Sequence, residues 1–264
     1  MDYDAIFSAL PEGQPGFDRC FAFSVHKSGS TMLGKMIKDV CKRRDVPNVS
    51  IPNFFFSEGI SAQVWKDDQK LAPVFTKPIL YHGFRFLPPV LQDPEVGLRN
   101  SRFVLLVRDP RDALVSQYFS YGKPTGSHAL PKKNAEAFIA AREALPERTI
   151  DEYVIELSRQ LRNKLVTYRD SLNFDLGLTR RYEEVFFDKE TFLGEVFKHF
   201  GIQVPKGVIA NVAAKHDIRP EKEDETQHIR KGTPGDHKEK LKPETIEKLN
   251  DTFRRIGGFY GYEM

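Results

Sequence analysis

The chain has 264 residues, which is enough for one large α/β domain or two small ones, each with a substantial core. Its 40% hydrophobic and 29% charged residues are ordinary globular values that argue against a disordered, collagenous or disulfide-stapled chain. The 40 Lys and Arg residues nearly balance 37 Asp and Glu residues, for a net charge of +3. Composition therefore gives no sign of a nucleic-acid or membrane partner, and any anion site must be local.

The cysteines and the N-terminus bear on where the protein works. Cys20 and Cys41 are too few for a disulfide framework and lack the partners of a zinc site, so we expect inert packing residues and a reducing compartment. The first ten residues contain no basic stretch followed by an apolar core, and no segment approaches the length of a membrane span. We therefore expect a cytoplasmic protein without a membrane anchor.

Strands and helices alternate from the start of the chain. Residues 21–25 form an apolar run that breaks at HKSGS and passes into a helical pattern over residues 31–43. Residues 102–107 (RFVLLV) form a second run, apolar on both faces, which stops at RDPRD before a helix that extends through residue 121. This alternation predicts a parallel sheet with helices on its faces.

The rest of the chain continues the same pattern. It predicts helices at residues 153–168, 192–200 (ended by Gly201) and 243–256, a strand at residues 176–182, and loops at residues 121–133 and 217–240. Too few residues follow the second loop to form another core. We therefore expect an irregular N-terminal segment over residues 1–18 and a single domain over residues 19–264.

The loop KSGST lies between the first strand and a helix N-terminus, where unpaired backbone N–H groups and the helix dipole attract anions. Gly29 allows close backbone approach to a phosphate, and Lys27 adds a positive charge. Ordinary capping of the helix by serines is the alternative interpretation. The lysine precedes the glycine and no upstream glycine starts the turn, so the pattern of a nucleoside triphosphatase loop is not met and a metal-dependent kinase is disfavoured.

The same loop resembles the 5′-phosphosulfate loop of the sulfotransferase family, P-K-S-G-T-T-W. His26 stands in place of the proline, and Met32 in place of the tryptophan. The residues that this resemblance assigns to the donor, 3′-phosphoadenosine 5′-phosphosulfate (PAPS), are Lys27, Ser28, Gly29, Ser30, Thr31 and Met32.

A second segment, RDPRDALVS, resembles the family's 3′-phosphate motif. Arg108 stands at a strand end, and Ser116 follows two helical turns later. A guanidinium suits a bidentate phosphate contact, and the serine hydroxyl can reach the same phosphate. The alternative is that Arg108 only forms a salt bridge with Asp109 or Asp112. We expect Arg111 to face solvent.

Two later segments extend the resemblance. RKGTPGDHK resembles the family's R-K-G-x-x-G-D-W-K segment, with a histidine in the tryptophan's place, and implies a 3′-phosphate clamp made of Arg230, Lys231 and Gly232. A solvated basic loop is the alternative. Tyr182 begins YEEV, which resembles the family's R-Y-E-D-L segment, whose tyrosine lies by the adenine. An ordinary core tyrosine explains this residue nearly as well.

The acceptor must lose a proton as it attacks sulfur, so we expect a base within hydrogen-bond reach. His82 is the candidate, because the family has a K-T-H-x-P segment with a catalytic histidine in this part of the chain. A structural histidine at a strand end is the alternative, and His26 is the rival base. Aromatic residues between the motifs, such as Phe54 and Tyr121, are core residues or line an acceptor pocket.

Together these motifs imply an α/β fold: a three-layer α/β/α domain with a central parallel sheet, like that of P-loop nucleoside triphosphate hydrolases. The implied reaction is in-line transfer of a sulfuryl group from PAPS to a hydroxyl or amine of a small-molecule or carbohydrate acceptor, without a metal. Lys27 stabilises the leaving oxygen, and Ser116 restrains Lys27 until the acceptor binds. A P-loop small-molecule kinase and a non-catalytic nucleotide-binding protein remain as alternatives. Neither the acceptor nor the oligomeric state can be identified from the sequence.

Overall fold

The computed structural model describes residues 3–8, 10–14, 16–220, 222–224, 230–231 and 233–264. Within these residues, five strands form one fully parallel sheet with the order β2-β3-β1-β4-β5. The strands are β1 (Cys20–Ser24), β2 (Asn48–Val49), β3 (Leu80–Phe84), β4 (Arg102–Val107) and β5 (Gly177–Arg181).

Helices connect the strands and extend the chain beyond the sheet. The α-helices of the described residues are α1 (Tyr3–Ser8), α2 (Ser30–Arg44), α3 (Ile51–Ser57), α4 (Ala62–Trp65), α5 (Pro110–Tyr121), α6 (Ala135–Glu143), α7 (Ile150–Ser171), α8 (Tyr182–Val185), α9 (Lys189–His199), α10 (Lys206–Lys215), α11 (His237–Lys240) and α12 (Pro243–Phe259). Short 3₁₀ helices lie at Gln69–Thr76, Pro89–Gln92, Pro94–Val96, Leu98–Asn100 and Phe174–Leu176.

The central strands are buried on both faces, and their side chains alternate between two cores. Phe21 and Phe23 of β1 belong to the core under α5, α7 and α12. Cys20 and Ala22 point the other way, into the core under α2, α9 and α10. This alternation follows from the two-residue period of a strand and confirms the three-layer α/β/α architecture.

The predicted elements are present, with shifts at their ends. Strand β4 has the predicted bounds, whereas β5 stops at Arg181 and Tyr182 already begins α8. Helix α7 starts three residues before its predicted start because Thr149 and Glu152 form a capping box. The sequence patterns did not predict β2, α3, α4, α6 and α10, and they indicated β3 only through the alternative interpretation of His82. Two expectations are wrong in part: α1 lies in the segment expected to be irregular, and α11 lies at the end of the predicted loop 217–240.

The two cysteine side chains are buried in the core under α2, as expected for packing residues. Burial raises the pKa of the Cys41 thiol to about 12, so it stays protonated. In the part of the chain that the structure describes, no helix combines the length and apolar character needed to cross a bilayer.

Candidate functional site

One cavity lies at the carboxyl ends of β1, β4 and β5, where segments far apart in the sequence meet. Its wall includes Lys27 after β1, Arg108 after β4, Tyr182 after β5 and Arg230 from the C-terminal segment. Strands β1 and β4 are neighbours whose following connections lead to opposite ends of the sheet. Such a switch point is where ligands bind in open parallel sheets.

The cavity wall is strongly cationic although the chain as a whole is nearly neutral. No Asp or Glu is among its described lining residues. Its seven cationic side chains are Lys27, Lys35, Arg85, Arg108, Lys189, Arg230 and Lys231. Nor does any group of three or more His, Cys, Asp or Glu in the described part of the chain form a candidate metal site. The cavity is therefore suited to a polyanion held by protein cations.

The loop after β1 is held open at the N-terminus of α2. Gly29 has a φ of 89°, and a Cβ there would lie 3.0 Å from a ring carbon of Tyr182, so glycine is required by both conformation and space. Lys27 also has a positive φ, 64°, a conformation that is uncommon for non-glycine residues. No side chain caps α2 and its first turn has no acid, so its N-terminal amides remain able to bind an anion.

The Lys27 side chain turns toward α5. Its Nζ donates a hydrogen bond of 2.6 Å to Oγ of Ser120. Burial, followed by the charges of Arg108 and Arg85, lowers the pKa of Lys27 to about 7. Ser116 lines the cavity, but the expectation that it restrains Lys27 is wrong for this structure. The two serines lie four residues apart on one helix face, and the lysine reaches the farther one.

Arg108 is nearly buried, with 8% of its surface exposed. Its Nη1 donates to the carbonyl oxygen of Lys27 over 3.3 Å, and its guanidinium carbon lies 4.8 Å from the centre of the Tyr182 ring. The nearest carboxylate oxygen, on Asp112, is 3.9 Å from Nη2. The buried Nε has no hydrogen-bond partner among the described residues. An unpaired buried N–H is costly, so this arginine fits an anionic ligand better than a purely structural salt bridge.

Asp112 joins the C-terminal segment to α5. It accepts hydrogen bonds from the backbone N–H of Gly235 (2.6 Å) and of His237 (2.9 Å), and lies 2.6 Å from Nδ1 of the His237 ring. Burial alone would raise the pKa of Asp112, but the bonds from His237 and Gly235 and the charge of Arg108 lower it to about 2. The carboxylate thus fixes the segment that carries Arg230 and Lys231.

The two cations of the C-terminal segment are themselves held by acids. Arg230 forms ion pairs with Glu223 and Asp236, and its guanidinium carbon lies 4.1 Å from the centre of the Phe119 ring. Lys231 pairs with Asp236 at 3.3 Å and with Glu239 at 2.6 Å. Both line the cavity. The predicted Gly232 lies outside the described residues.

The sequence-predicted donor residues separate into two sets. Those on the cavity wall are Lys27, Gly29, Ser30, Thr31, Met32, Arg108, Ser116, Tyr182, Arg230 and Lys231. Ser28 is fully buried and is not part of the wall, so the structure does not place its side chain with the other predicted donor residues.

His82 does not reach the cavity. It lies in the middle of β3, on the α2 side of the sheet, with Nε2 3.3 Å from Oδ1 of Asn48 and its ring against Gly34. Burial, followed by the charge of Lys38, lowers its pKa to about 4. The prediction that His82 faces the acceptor is therefore wrong, because strand alternation turns this side chain into the core between β3 and α2.

A different histidine lines the cavity. Nδ1 of His26 lies 3.3 Å from Oε1 of Gln117, and its ring centre is 5.2 Å from that of Tyr121. The Tyr121 hydroxyl in turn lies 3.2 Å from Nε2 of His128, which also lines the cavity. Burial and the nearby charges of Lys164, Lys27 and Arg85 hold the pKa of His26 well below its usual range.

Several wall residues were missed by the sequence reading. Arg85 follows β3, whose bounds the sequence did not predict, and Ser120 continues the face of α5 on which Ser116 lies. Conversely, Arg111 was expected in solvent but has only 12% of its side chain exposed. It pairs with Asp109 at 2.6 Å and donates to Asn250 at 2.7 Å, which ties α5 to α12.

Comparison with known proteins agrees with this architecture. The profile of the sulfotransferase domain family matches residues 17–259. The chain belongs to the sulfotransferase family. No curated protein matches it in a sequence search.

Solved sulfotransferases share the fold at low sequence identity. A mouse sulfotransferase complexed with PAP, the 3′,5′-diphosphate, is 17% identical with a TM-score of 0.60, covering 97% of this chain and 90% of the mouse chain. A sulfotransferase from Alicyclobacillus acidocaldarius is 14% identical with a TM-score of 0.50, covering 94% and 97% of the two chains.

Proposed function

We propose that this sulfotransferase moves a sulfuryl group from PAPS to a hydroxyl or amine of an acceptor. The observation that carries the proposal is the meeting of three sequence-distant segments, after β1, after β4 and at Arg230 and Lys231, in one cavity lined by cations. A donor with separate 5′ and 3′ anionic groups fits this arrangement, and the PAP bound to the mouse relative agrees with it.

The residues divide between the two anionic ends of the donor. The 5′-phosphosulfate is held by Lys27, the amides after Gly29 and the hydroxyls of Ser30 and Thr31. The 3′-phosphate is bound by Arg108, Ser116, Arg230 and Lys231, with Gly232 added by the resemblance alone. Tyr182 and Met32 lie beside the adenine base. The unpaired Nε of Arg108 supports this division, because a phosphate oxygen would satisfy it.

Protein side chains stabilise the negative charge that develops while the sulfuryl group is transferred. When bound, PAPS supplies an activated sulfuryl group; its bond to the bridging oxygen breaks as the acceptor's bond to sulfur forms. Lys27 stabilises the negative charge that develops on that oxygen. In this proposal Nζ, which donates to Ser120 in the structure, turns toward the bridging oxygen, and Ser120 takes the restraining role that the resemblance assigned to Ser116.

His26 is the base in this proposal. With Nδ1 as donor to the Gln117 oxygen, the lone pair of Nε2 is left to accept the acceptor's proton. The lowered pKa keeps the ring neutral at physiological pH, which is the state that a base needs.

Nucleotide analysis tests the reaction. Purified protein is incubated with a small-molecule metabolite extract, a metal chelator and either PAPS or ATP, and the nucleotide products are separated by chromatography. We expect extract-dependent conversion of PAPS to PAP that persists in chelator. Release of ADP from ATP, or no PAP above a Lys27→Ala control, would contradict the proposal.

A pair of histidine variants tests the base. His26→Ala should lower turnover by about 10² to 10⁴ with PAP affinity nearly unchanged, the usual range for loss of a general base. His82→Gln is the matched control and should keep turnover within about threefold, because its side chain lies outside the cavity. If His82→Gln showed the large loss and His26→Ala did not, the assignment would be reversed.

A further inference from the structure

Arg85 is a cationic residue of the cavity wall that lies outside the segments proposed to bind PAPS. It follows β3 directly, is partly buried and lines the cavity. Unlike Arg108, Arg230 and Lys231, it has no ion pair or hydrogen bond with another residue in the described part of the chain. Its charge lowers the pKa values of His26 and Lys27, so it lies near both.

The order of the strands places Arg85 on the far side of the Lys27 loop from the nucleotide motifs. Strand β1, which leads into this loop, has β4 and then β5 on one side, and these strands lead to Arg108 and Tyr182. On the other side of β1 is β3, which leads to Arg85. A donor that spans from Lys27 to Tyr182 therefore extends away from Arg85.

In-line displacement at sulfur requires the attacking atom to approach opposite the leaving oxygen. With the donor in the proposed orientation, the nucleotide leaves on the β4 side, so the acceptor enters on the β3 side. We call this part of the wall the acceptor half and define it by Arg85, His26, Tyr121 and His128; the donor half comprises the proposed nucleotide residues. Each acceptor-half residue lines the same cavity, and Tyr121 links two of them through its contacts with His26 and His128.

The electrostatics of the acceptor half favour an anion. A partly buried guanidinium near Lys27, with no carboxylate among the described residues to balance it, raises the local positive potential. Its planar donors suit two oxygens of a carboxylate, sulfate or phosphate. An acceptor that lacked such a group would leave this guanidinium uncompensated when the acceptor displaced water from the cavity.

We propose that Arg85 recognises an anionic group on the acceptor, so that the substrate class is a small molecule that carries a carboxylate or similar anion besides its reactive hydroxyl or amine. This inference rests on the proposed sulfotransferase function, because it uses the direction in which PAPS would lie.

Acceptor analogues that cannot be sulfated allow acceptor binding to be measured without turnover. The probe pair is 4-methoxyphenylacetate and its neutral amide, whose methylated oxygen cannot receive a sulfuryl group. Each is titrated by calorimetry into protein saturated with PAPS, so that the donor already occupies the phosphosulfate position. We expect the wild-type protein to bind the acid at least about tenfold more tightly than the amide, because only the acid can form a charged hydrogen bond with the guanidinium; tenfold corresponds to about 1.4 kcal/mol.

Two arginine variants complete the test. Arg85→Gln should bind PAPS like the wild type but bind acid and amide alike, whereas Arg254→Gln, which removes an exposed arginine of α12, should keep the preference. Equal or undetectable binding of both probes by wild-type protein, or a preference that survives in Arg85→Gln, would overturn the proposal. A wild type that does not bind PAPS would instead overturn the proposed function, and with it this inference.

Discussion

The donor and acceptor halves of the cavity hold their cations in different ways. In the donor half, Arg230 and Lys231 share Asp236, and Arg108 lies 3.9 Å from Asp112. In the acceptor half, Arg85 has no carboxylate partner among the described residues. Acids behind a cation fix its position before a ligand arrives and reduce the ordering cost of binding. We infer that the donor half is built for one constant ligand, whereas the acceptor half leaves charge compensation to the substrate.

Among the donor-half residues, Lys27 is the one whose replacement should have the largest effect. Lys27→Ala should lower turnover by about 10² to 10³, because the lost interaction is with charge that exists only in the transition state. PAP affinity should fall much less. Steady-state kinetics together with PAP titration measures both quantities.

Ser120→Ala is the control for this variant, because it removes only the partner of the Lys27 ammonium. It should reduce turnover far less than Lys27→Ala does. Equal losses of turnover and PAP affinity in Lys27→Ala would show that the lysine only binds the donor, and the proposed division of roles would fail.

Replacing Asp112, which holds the C-terminal segment of the donor half in place, should have the next largest effect. Asp112→Asn removes a buried charge that three groups of the C-terminal segment contact. We expect PAP affinity to fall by roughly 10 to 100-fold, since charged hydrogen bonds contribute about 1.5–3 kcal/mol each.

Binding of 4-methoxyphenylacetate and its amide shows whether Asp112→Asn affects only the donor half. At saturating PAPS the variant should keep the acid-over-amide preference, because Arg85 does not depend on Asp112. Asp251→Asn, at an exposed position of α12, should change neither property. Loss of the acid preference with intact PAP affinity would show that the two halves are not independently supported.

The smallest expected effect is a pH dependence of donor binding. Lys27 has a pKa of about 7 in the structure because burial and neighbouring cations disfavour its charged form. A bound 5′-phosphate favours that form, so binding takes up a proton above pH 7, and affinity falls as pH rises by at most about tenfold per pH unit.

Comparison with Lys27→Met isolates this effect, because the ligand's own titration is common to both proteins. The ratio of wild-type to variant PAP affinity should decrease between pH 7 and 9 and stay level below pH 6, where Lys27 is already charged. Parallel pH profiles for the two proteins would show that Lys27 is charged throughout the range.

The two halves also differ in how many of their residues could be predicted from the sequence. Donor residues lie in short contiguous segments after strands with strong apolar patterns, so Lys27 and Arg108 could be placed from the chain alone. The acceptor half depends on β3, where Gly83, with a φ of 86°, and the polar His82 interrupt the apolar pattern. Without that strand the sequence could not show that His82 points into the core while Arg85 reaches the cavity.

The hydrogen-bond and ion-pair partners of Lys27 and Arg111 could likewise not be predicted from the sequence. Ser116 and Ser120 lie on one face of α5, and only the path of the Lys27 side chain decides between them. Arg111 appears exposed in the sequence because its partner Asn250 is far away in the chain and is brought to it by the packing of α12.

The central claim is that the cavity recognises a 3′-phosphate, and calorimetric titration with PAP and with ADP tests it most directly. Both ligands carry an adenosine and a 5′-phosphate, but only PAP places a phosphate where Arg108, Ser116 and Arg230 can bind it. We predict that PAP binds at least about 100-fold more tightly than ADP, since two or more charged contacts are added. Equal affinities for PAP and ADP would contradict the account.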